Sequence, residues 1–128
     1  MGGTKKKRPE KSLAHDRIVE LQTAITEVRN GQKASPRTAA LLAAGLPRMA
    51  QKLAEEATEV VIEAVRGEWS AVINESGDLI YNLVLLWSEL GITAPEVWAE
   101  MDRRQALLGM AEKLPKEVGV GSTSSGGP

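Results

Sequence analysis

The sequence has no cysteine, no phenylalanine and a single histidine, His15. Without cysteine there is no disulfide, no thiol nucleophile, no iron–sulfur cluster and no thiolate-bound zinc. One histidine excludes any site that needs two from the same chain, so the pair His15-Asp16 is not the core of a multi-histidine hydrolase centre. Long apolar runs are missing as well. The stretch Leu83–Trp87 is bounded by Asn82 and Ser88 and is far too short to span a bilayer. The first residues lack the apolar segment of a secretory signal, and the expected location is the cytoplasm, with no membrane partner. Aromatic residues make up only 3% of the chain. Trp69, Trp87 and Trp98 lie at helical positions and are expected in core or interface rather than as stacking platforms for bases.

What remains is 128 residues, 42% hydrophobic and 26% charged, the size and balance of one globular domain. Charge is unevenly placed. Residues 1–11 hold Lys5, Lys6, Lys7, Arg8 and Lys11 against the single acid Glu10, so the arm is +4 and the other 117 residues are −5 within a net charge of −1. The arm has no aromatic residue and the body is acidic, so nucleic acid is not the expected partner. Residues 1–11 read as a disordered basic arm and 115–128 as a disordered Gly/Ser-rich tail. Residues 12–114 form the expected all-α domain.

Helical signals fill that body. Ile18, Leu21, Ala24, Ile25 and Val28 recur near a 3.6-residue period in a helix from Leu13 to Arg29, which Asn30-Gly31 stops. Ser35-Pro36 opens a short helix that Gly45 closes. Pro47 suits the first turn of a helix running to about Arg66, with Gly67 as its stop signal. Another runs from Glu68 or Ser70 to Leu90, ended by Gly91. A last helix is capped by Thr93 and continues to about Leu108, with a ragged extension toward Lys113. The expectation is an antiparallel bundle of four to five helices.

Seven carboxylates lie between Glu55 and Asp78, against one basic residue, Arg66. At about 100° per residue, Leu53, Ala57, Val60, Val61 and Ala64 form one apolar stripe, and Lys52, Glu56, Glu59 and Glu63 run directly beside it. These acids border the core. The following helix is apolar nearly all round from Leu79 to Trp87, yet Glu75, Asp78 and Asn82 share one of its faces. Carboxylates near an apolar core and near each other must hold protons, recruit cations or bind a metal. Hard oxygen ligands without histidine or cysteine point to Mg²⁺, or Mn²⁺, at Glu56, Glu59, Glu75 and Asp78. Ile62 and Val65 on one long helix, and Ile80, Val84 and Trp87 on the next, lie off the first apolar stripes. Two helices apolar on more than one face predict a homodimer that completes the bundle. A non-catalytic helical interaction module, with its acids merely solvated, is the alternative at this level.

Glu56-x-x-Glu59, fifteen residues, then Glu75-x-x-Asp78 resembles the signature of the MazG-like all-α nucleoside triphosphate pyrophosphohydrolases. Within that group the run Glu55-Glu56-Ala57-Thr58-Glu59-Val60-Val61-Ile62 and the upstream Thr38-Ala39-Ala40-Leu41-Leu42-Ala43-Ala44-Gly45 resemble the phosphoribosyl-ATP pyrophosphohydrolase family. The likeness covers about residues 16–105. The chain departs from the family pattern at Pro36-Arg37 (usually Ser-aromatic), at Ala40 (usually basic), at Gln51-Lys52-Leu53-Ala54 (usually Lys-Lys-x-Gly) and at Asn82 (often His).

The resemblance implies Mg²⁺-dependent hydrolysis of phosphoribosyl-ATP to phosphoribosyl-AMP and pyrophosphate in histidine biosynthesis, by a homodimer with sites near its interface. A related pyrophosphohydrolase of other nucleoside triphosphates is the second reading, because the departures cluster around the substrate rather than the acids. In the implied reaction Glu55 or Glu56 orients or deprotonates the attacking water. Lys52 meets a phosphate oxygen, with Arg48 and Arg37 as further phosphate contacts. Asn82 donates an amide hydrogen bond to the substrate or to a carboxylate. Arg103 and Arg104 are candidates to reach phosphates across the dimer interface.

Overall fold

The computed structural model describes residues 16–113. The basic arm, the tail and the expected helix start at Leu13 lie outside the described residues. Five helices follow in order: α1 Arg17–Arg29, α2 Pro36–Ala44, α3 Leu46–Arg66, α4 Trp69–Leu90 and α5 Ala94–Lys113. No strand occurs among the described residues, so the expected all-α class is observed.

Local chemistry sets the helix ends. Asp16 caps α1, its carboxylate accepting from the backbone N–H groups of Ile18 at 2.9 Å and Val19 at 3.1 Å. That cap makes Arg17 the first residue of α1. Ser35 Oγ accepts from Thr38 N, and Pro36 follows at the first turn of α2. Gly67 and Gly91, both at φ 74°, end α3 and α4 in the left-handed conformation that a Cβ disfavours. Gly67 and Glu68 are the whole connection between α3 and α4, so the two long helices fold back on each other as a tight antiparallel hairpin.

Residues up to Ala94 form one compact unit and those from Pro95 another. In the first, Ile25, Met49, Val84 and Leu85 make the buried centre, with Ile18, Leu21, Leu41, Leu42, Leu86 and Trp87 packed around it. Gln22 closes the unit's far end. Its side-chain amide donates to Ile92 O at 2.7 Å and accepts from Ala94 N at 2.8 Å. Arg29 and Glu89, 3.0 Å apart, tie α1 to the end of α4. In the second unit, Arg103 and Arg104 both hydrogen-bond Glu100 of their own helix and hold its carboxyl down to about 2.

Two expectations about faces change. The seam that α3 turns inward runs through Met49, Leu53, Glu56, Val60 and Glu63, whereas Val61 is 61% exposed and Ala64 is exposed. Glu56 and Glu63 thus sit within the seam, and part of the expected core stripe faces outward. The reason is rotational: α3 is apolar on two sides, and its periodicity does not say which side meets α4. Conversely, Val84 is fully buried and Trp87 packs against the core, so neither belongs to an uncovered face. Ile62, Val65 and Ile80 do remain exposed.

The hairpin turn offers a direct check. Gly67→Ala should lower unfolding stability by about 1 kcal/mol in urea titrations, because alanine is disfavoured at this φ. An unchanged midpoint would mean that the turn adopts another conformation.

Candidate active site

The α3–α4 seam holds the chemistry. Helical spacing puts Lys52, Glu56, Glu59 and Glu63 along α3, and the antiparallel hairpin brings Glu75 and Asp78 of α4 alongside. One carboxylate oxygen from each of Glu56, Glu75 and Asp78 lies within 4.8 Å of the others, an arrangement able to hold a metal ion. Glu56 is only 6% exposed, and its Oε1 is buried with no hydrogen-bond partner. Its other oxygen faces the Lys52 ammonium at 3.4 Å. A solvated acidic face does not look like this, since a buried carboxylate oxygen without a donor is costly unless a proton or a cation answers it.

Glu75 supplies the complementary signal. Its carboxyl is pushed up to about 7, first by sharing a hydrogen bond with Glu56, then by burial, then by a hydrogen bond and like charge from Glu59. The pair Glu56–Glu75 therefore retains a proton that a divalent cation would displace. Glu59 stands beside Glu75 on the exposed edge and outside the tight group of three. The donor set is all carboxylate oxygen, which suits a hard divalent ion.

Two cations already lean on the group. Lys52 pairs with Glu56, and Arg37 Nη2 of α2 lies 3.7 Å from Asp78 Oδ1. Arg37 is held from a second side: its guanidinium sits 4.8 Å from the centre of the Tyr81 ring. The Tyr81 hydroxyl is itself 2.6 Å from Thr38 Oγ1. Thr38 and Tyr81 thus belong to the site's wall, although the sequence reading gave them no role there. Tyr81 does follow Asp78 by one helical turn, a local hint, but its pairing with Thr38 is a tertiary contact that spacing does not reveal.

The other candidates fall in different places. Glu55 points away from the group of three and pairs loosely with Arg48 at 4.0 Å. Asn82 is fully buried, and its amide donates to the backbone carbonyl of Asp78 at 2.8 Å, not to a carboxylate side chain. Its Oδ1 has no partner. The expected bond to a carboxylate side chain is therefore not made, and the amide instead steadies α4 one turn from Asp78. The reason is burial: the face shared by Asp78 and Asn82 turns inward between those residues.

Comparison with known proteins places the chain among enzymes of one family. The family model described as phosphoribosyl-ATP pyrophosphohydrolase matches residues 18–105. A protein of Rhodopseudomonas palustris named phosphoribosyl-ATP pyrophosphatase 2 is 54% identical over 101 residues, covering 79% of this chain and 77% of the relative. One of the same name from Bradyrhizobium diazoefficiens is 50% identical over 103 residues, covering 80% and 77%. A phosphoribosyl-ATP pyrophosphatase of Rhizorhabdus wittichii is 40% identical over 100 residues, which is 78% of this chain and 94% of that protein.

The shared proton predicts an unusual pH dependence. With Glu75 raised from 4.5 to about 7 in the folded state, the folded chain binds more protons than the unfolded one between those values. Stability then falls as pH rises through that window. In chelator, the melting temperature should drop between about pH 5 and pH 8, and Glu75→Gln should flatten the slope. A wild-type melting temperature that rises over this range would contradict the assignment.

Proposed function

The chain belongs to the phosphoribosyl-ATP pyrophosphohydrolase family, and from that premise we propose how its residues perform the family reaction. The chain hydrolyses phosphoribosyl-ATP to phosphoribosyl-AMP and pyrophosphate, a step of histidine biosynthesis. Water adds to a phosphorus of the triphosphate, the α–β anhydride bond breaks, and pyrophosphate leaves with the bond electrons. The observation that supports assigning the chemistry to this seam is the buried, unpartnered Oε1 of Glu56, in a carboxylate whose neighbours Glu75 and Asp78 each bring an oxygen within 4.8 Å of the group.

Glu56, Glu59, Glu75 and Asp78 would hold Mg²⁺, or Mn²⁺ in its place. Such an ion supplies positive charge that lets a polyanion approach a carboxylate-lined seam and polarises its phosphoryl oxygens. Bare carboxylates would repel the triphosphate. Glu56 is better placed than Glu55 to orient the attacking water, because Glu55 lies off the group of three beside Arg48. Lys52 sits one turn from Glu56, where its ammonium meets a phosphate oxygen once the carboxylate is otherwise engaged. Arg37 and Arg48, on the rim, are contacts for substrate phosphate outside the hydrolysed triphosphate. Asn82 acts as a positioning residue through the Asp78 carbonyl.

The outward face of the hairpin supports a homodimer. Val61, Ile62, Val65, Trp69, Ile73 and Ile80 are all exposed, with Val65 at 83% and Trp69 at 68%. Along α4, Trp69, Ile73 and Ile80 recur at helical spacing, so the residues gather into an apolar patch rather than scattering singly. A second copy presenting the same patch buries both by two-fold symmetry. No helix among the described residues is long and apolar enough to cross a membrane. The proposed location is the cytoplasm, where a biosynthetic enzyme meets its phosphorylated substrate.

Two measurements test these readings. Glu56→Gln and Asp78→Asn should each lower kcat on phosphoribosyl-ATP by about 100-fold or more, by analogy with loss of an electrostatic group at a charge-developing site, while far-UV circular dichroism is unchanged. Full activity in either variant would remove the seam from the chemistry. Val65→Asp should shift the sedimentation coefficient to that of a monomer. An unshifted dimer would place the interface elsewhere, and a monomeric wild type would remove the dimer.

A further inference from the structure

Between α2 and α3 lies an open groove of about 320 Å³ lined by Arg37, Ala40, Leu41, Ala44, Arg48 and Lys52. Its size is at the lower end of small-molecule sites. The lining has two parts. Ala40, Leu41 and Ala44 make a small apolar floor, and the three polar side chains are all cations, with no acid among them.

Each cation leans on an acid outside the groove. Arg37 reaches Asp78 at 3.7 Å, Lys52 reaches Glu56 at 3.4 Å, and Arg48 reaches Glu55 at 4.0 Å. Two of these three acids, Glu56 and Asp78, belong to the group proposed to hold a metal. When those carboxylates face a divalent ion, they no longer neutralise Lys52 and Arg37. Arg48, in a loose and half-exposed pair, is nearly free already. The groove therefore turns from nearly balanced to strongly positive through events in the neighbouring seam. Arg37 is suited to this change. Its guanidinium carbon lies over the Tyr81 ring, 4.8 Å from the centroid, and that contact leaves N–H groups to meet phosphate oxygens.

The substrate of the proposed reaction has two separate anionic ends: the triphosphate, and a phosphate monoester on the second ribose. The seam acids answer the first through their metal. We infer that the groove is the seat of the second, a sugar phosphate monoester. Arg48 and Arg37 hold its phosphate, and the Ala40–Leu41–Ala44 floor lies against its sugar. Affinity for this group is coupled to divalent metal, and by reciprocity the bound monoester tightens the metal. The inference rests on the reading above that Glu56 and Asp78 take the ion. It assigns Arg48 to recognition of the phosphoribosyl arm, the feature that separates this substrate from ordinary nucleoside triphosphates.

Calorimetric titration of the full chain with ribose 5-phosphate tests it, with pyrophosphate as the second probe. Mg²⁺ should tighten ribose 5-phosphate by about tenfold, within the usual range of coupling between sites. Arg48→Gln should weaken it by about tenfold, the usual scale of a charged hydrogen bond, with Arg48→Lys intermediate. Pyrophosphate binding with Mg²⁺ should change by less than about threefold in Arg48→Gln. The inference is overturned if Mg²⁺ has no effect on ribose 5-phosphate or if Arg48→Gln leaves it intact. It is equally overturned if both probes weaken in parallel, which would make the groove a triphosphate site. Turnover of phosphoribosyl-ATP by the same wild-type preparation keeps the two readings apart. Turnover without the coupling removes this inference alone, whereas turnover only of another triphosphate removes the reading on which it rests.

Discussion

A carboxylate buried in a helix seam has to be answered by a proton or by a cation, and Glu56 sits under that constraint. One of its oxygens has no hydrogen-bond partner, and Glu75 beside it is held protonated to about 7. Much of the first unit can be understood as support for this unfavourable arrangement. The two-residue link at Gly67-Glu68 forces α3 and α4 into close antiparallel contact, which is what brings Glu56 to Glu75 and Asp78. Apolar packing of Met49, Val84 and Leu85 at the other end of the same seam offsets the electrostatic cost. On the reading proposed above, a divalent ion would take the place of the shared proton.

The surrounding cations follow from the same constraint. Lys52 and Arg37 partly neutralise the acids, and in the proposed reaction each would exchange a carboxylate for a phosphate oxygen. Their position makes the acid seam and the basic groove one electrostatic system. On the proposed reading, a change in the charge seen by Glu56 or Asp78 would be felt in the groove through these two ion pairs. The stacking of Arg37 on Tyr81, and the bond from Tyr81 to Thr38, keep that exchange local to a few side chains.

Helix limits were legible because they are set by neighbours in sequence. Ser35-Pro36, Gly45, Gly67 and Gly91 each act within one turn of the end they define, and α2, α3 and α4 begin or end where these signals placed them. The acid pairs were legible for a related reason, since Glu56-x-x-Glu59 and Glu75-x-x-Asp78 each put two carboxylates on one helical face. Rotation of whole helices was not. α3 carries apolar residues on two sides, so Val61 reads as core although it faces outward, and Glu56 reads as bordering the core although it lies in the seam. Val84 reads as a second face of α4 because that helix is apolar nearly all round. Contacts between α2 and α4, such as Arg37 to Asp78 and Thr38 to Tyr81, depend on tertiary packing and leave no periodic trace. Asn82 illustrates the same limit: its place on the acid face was clear, but not that burial would turn its amide to a backbone carbonyl.

The central claim is that the Glu56–Glu75 pair holds a proton that a divalent ion displaces. Calorimetric titration of Mg²⁺ into the chain, repeated in buffers of different ionisation enthalpy, measures that exchange directly. Near pH 6, binding should release close to one proton per site, and the release should shrink toward zero by about pH 8.5, as a group with a value of about 7 requires. Failure to bind Mg²⁺, or binding with no proton released near pH 6, would contradict the account.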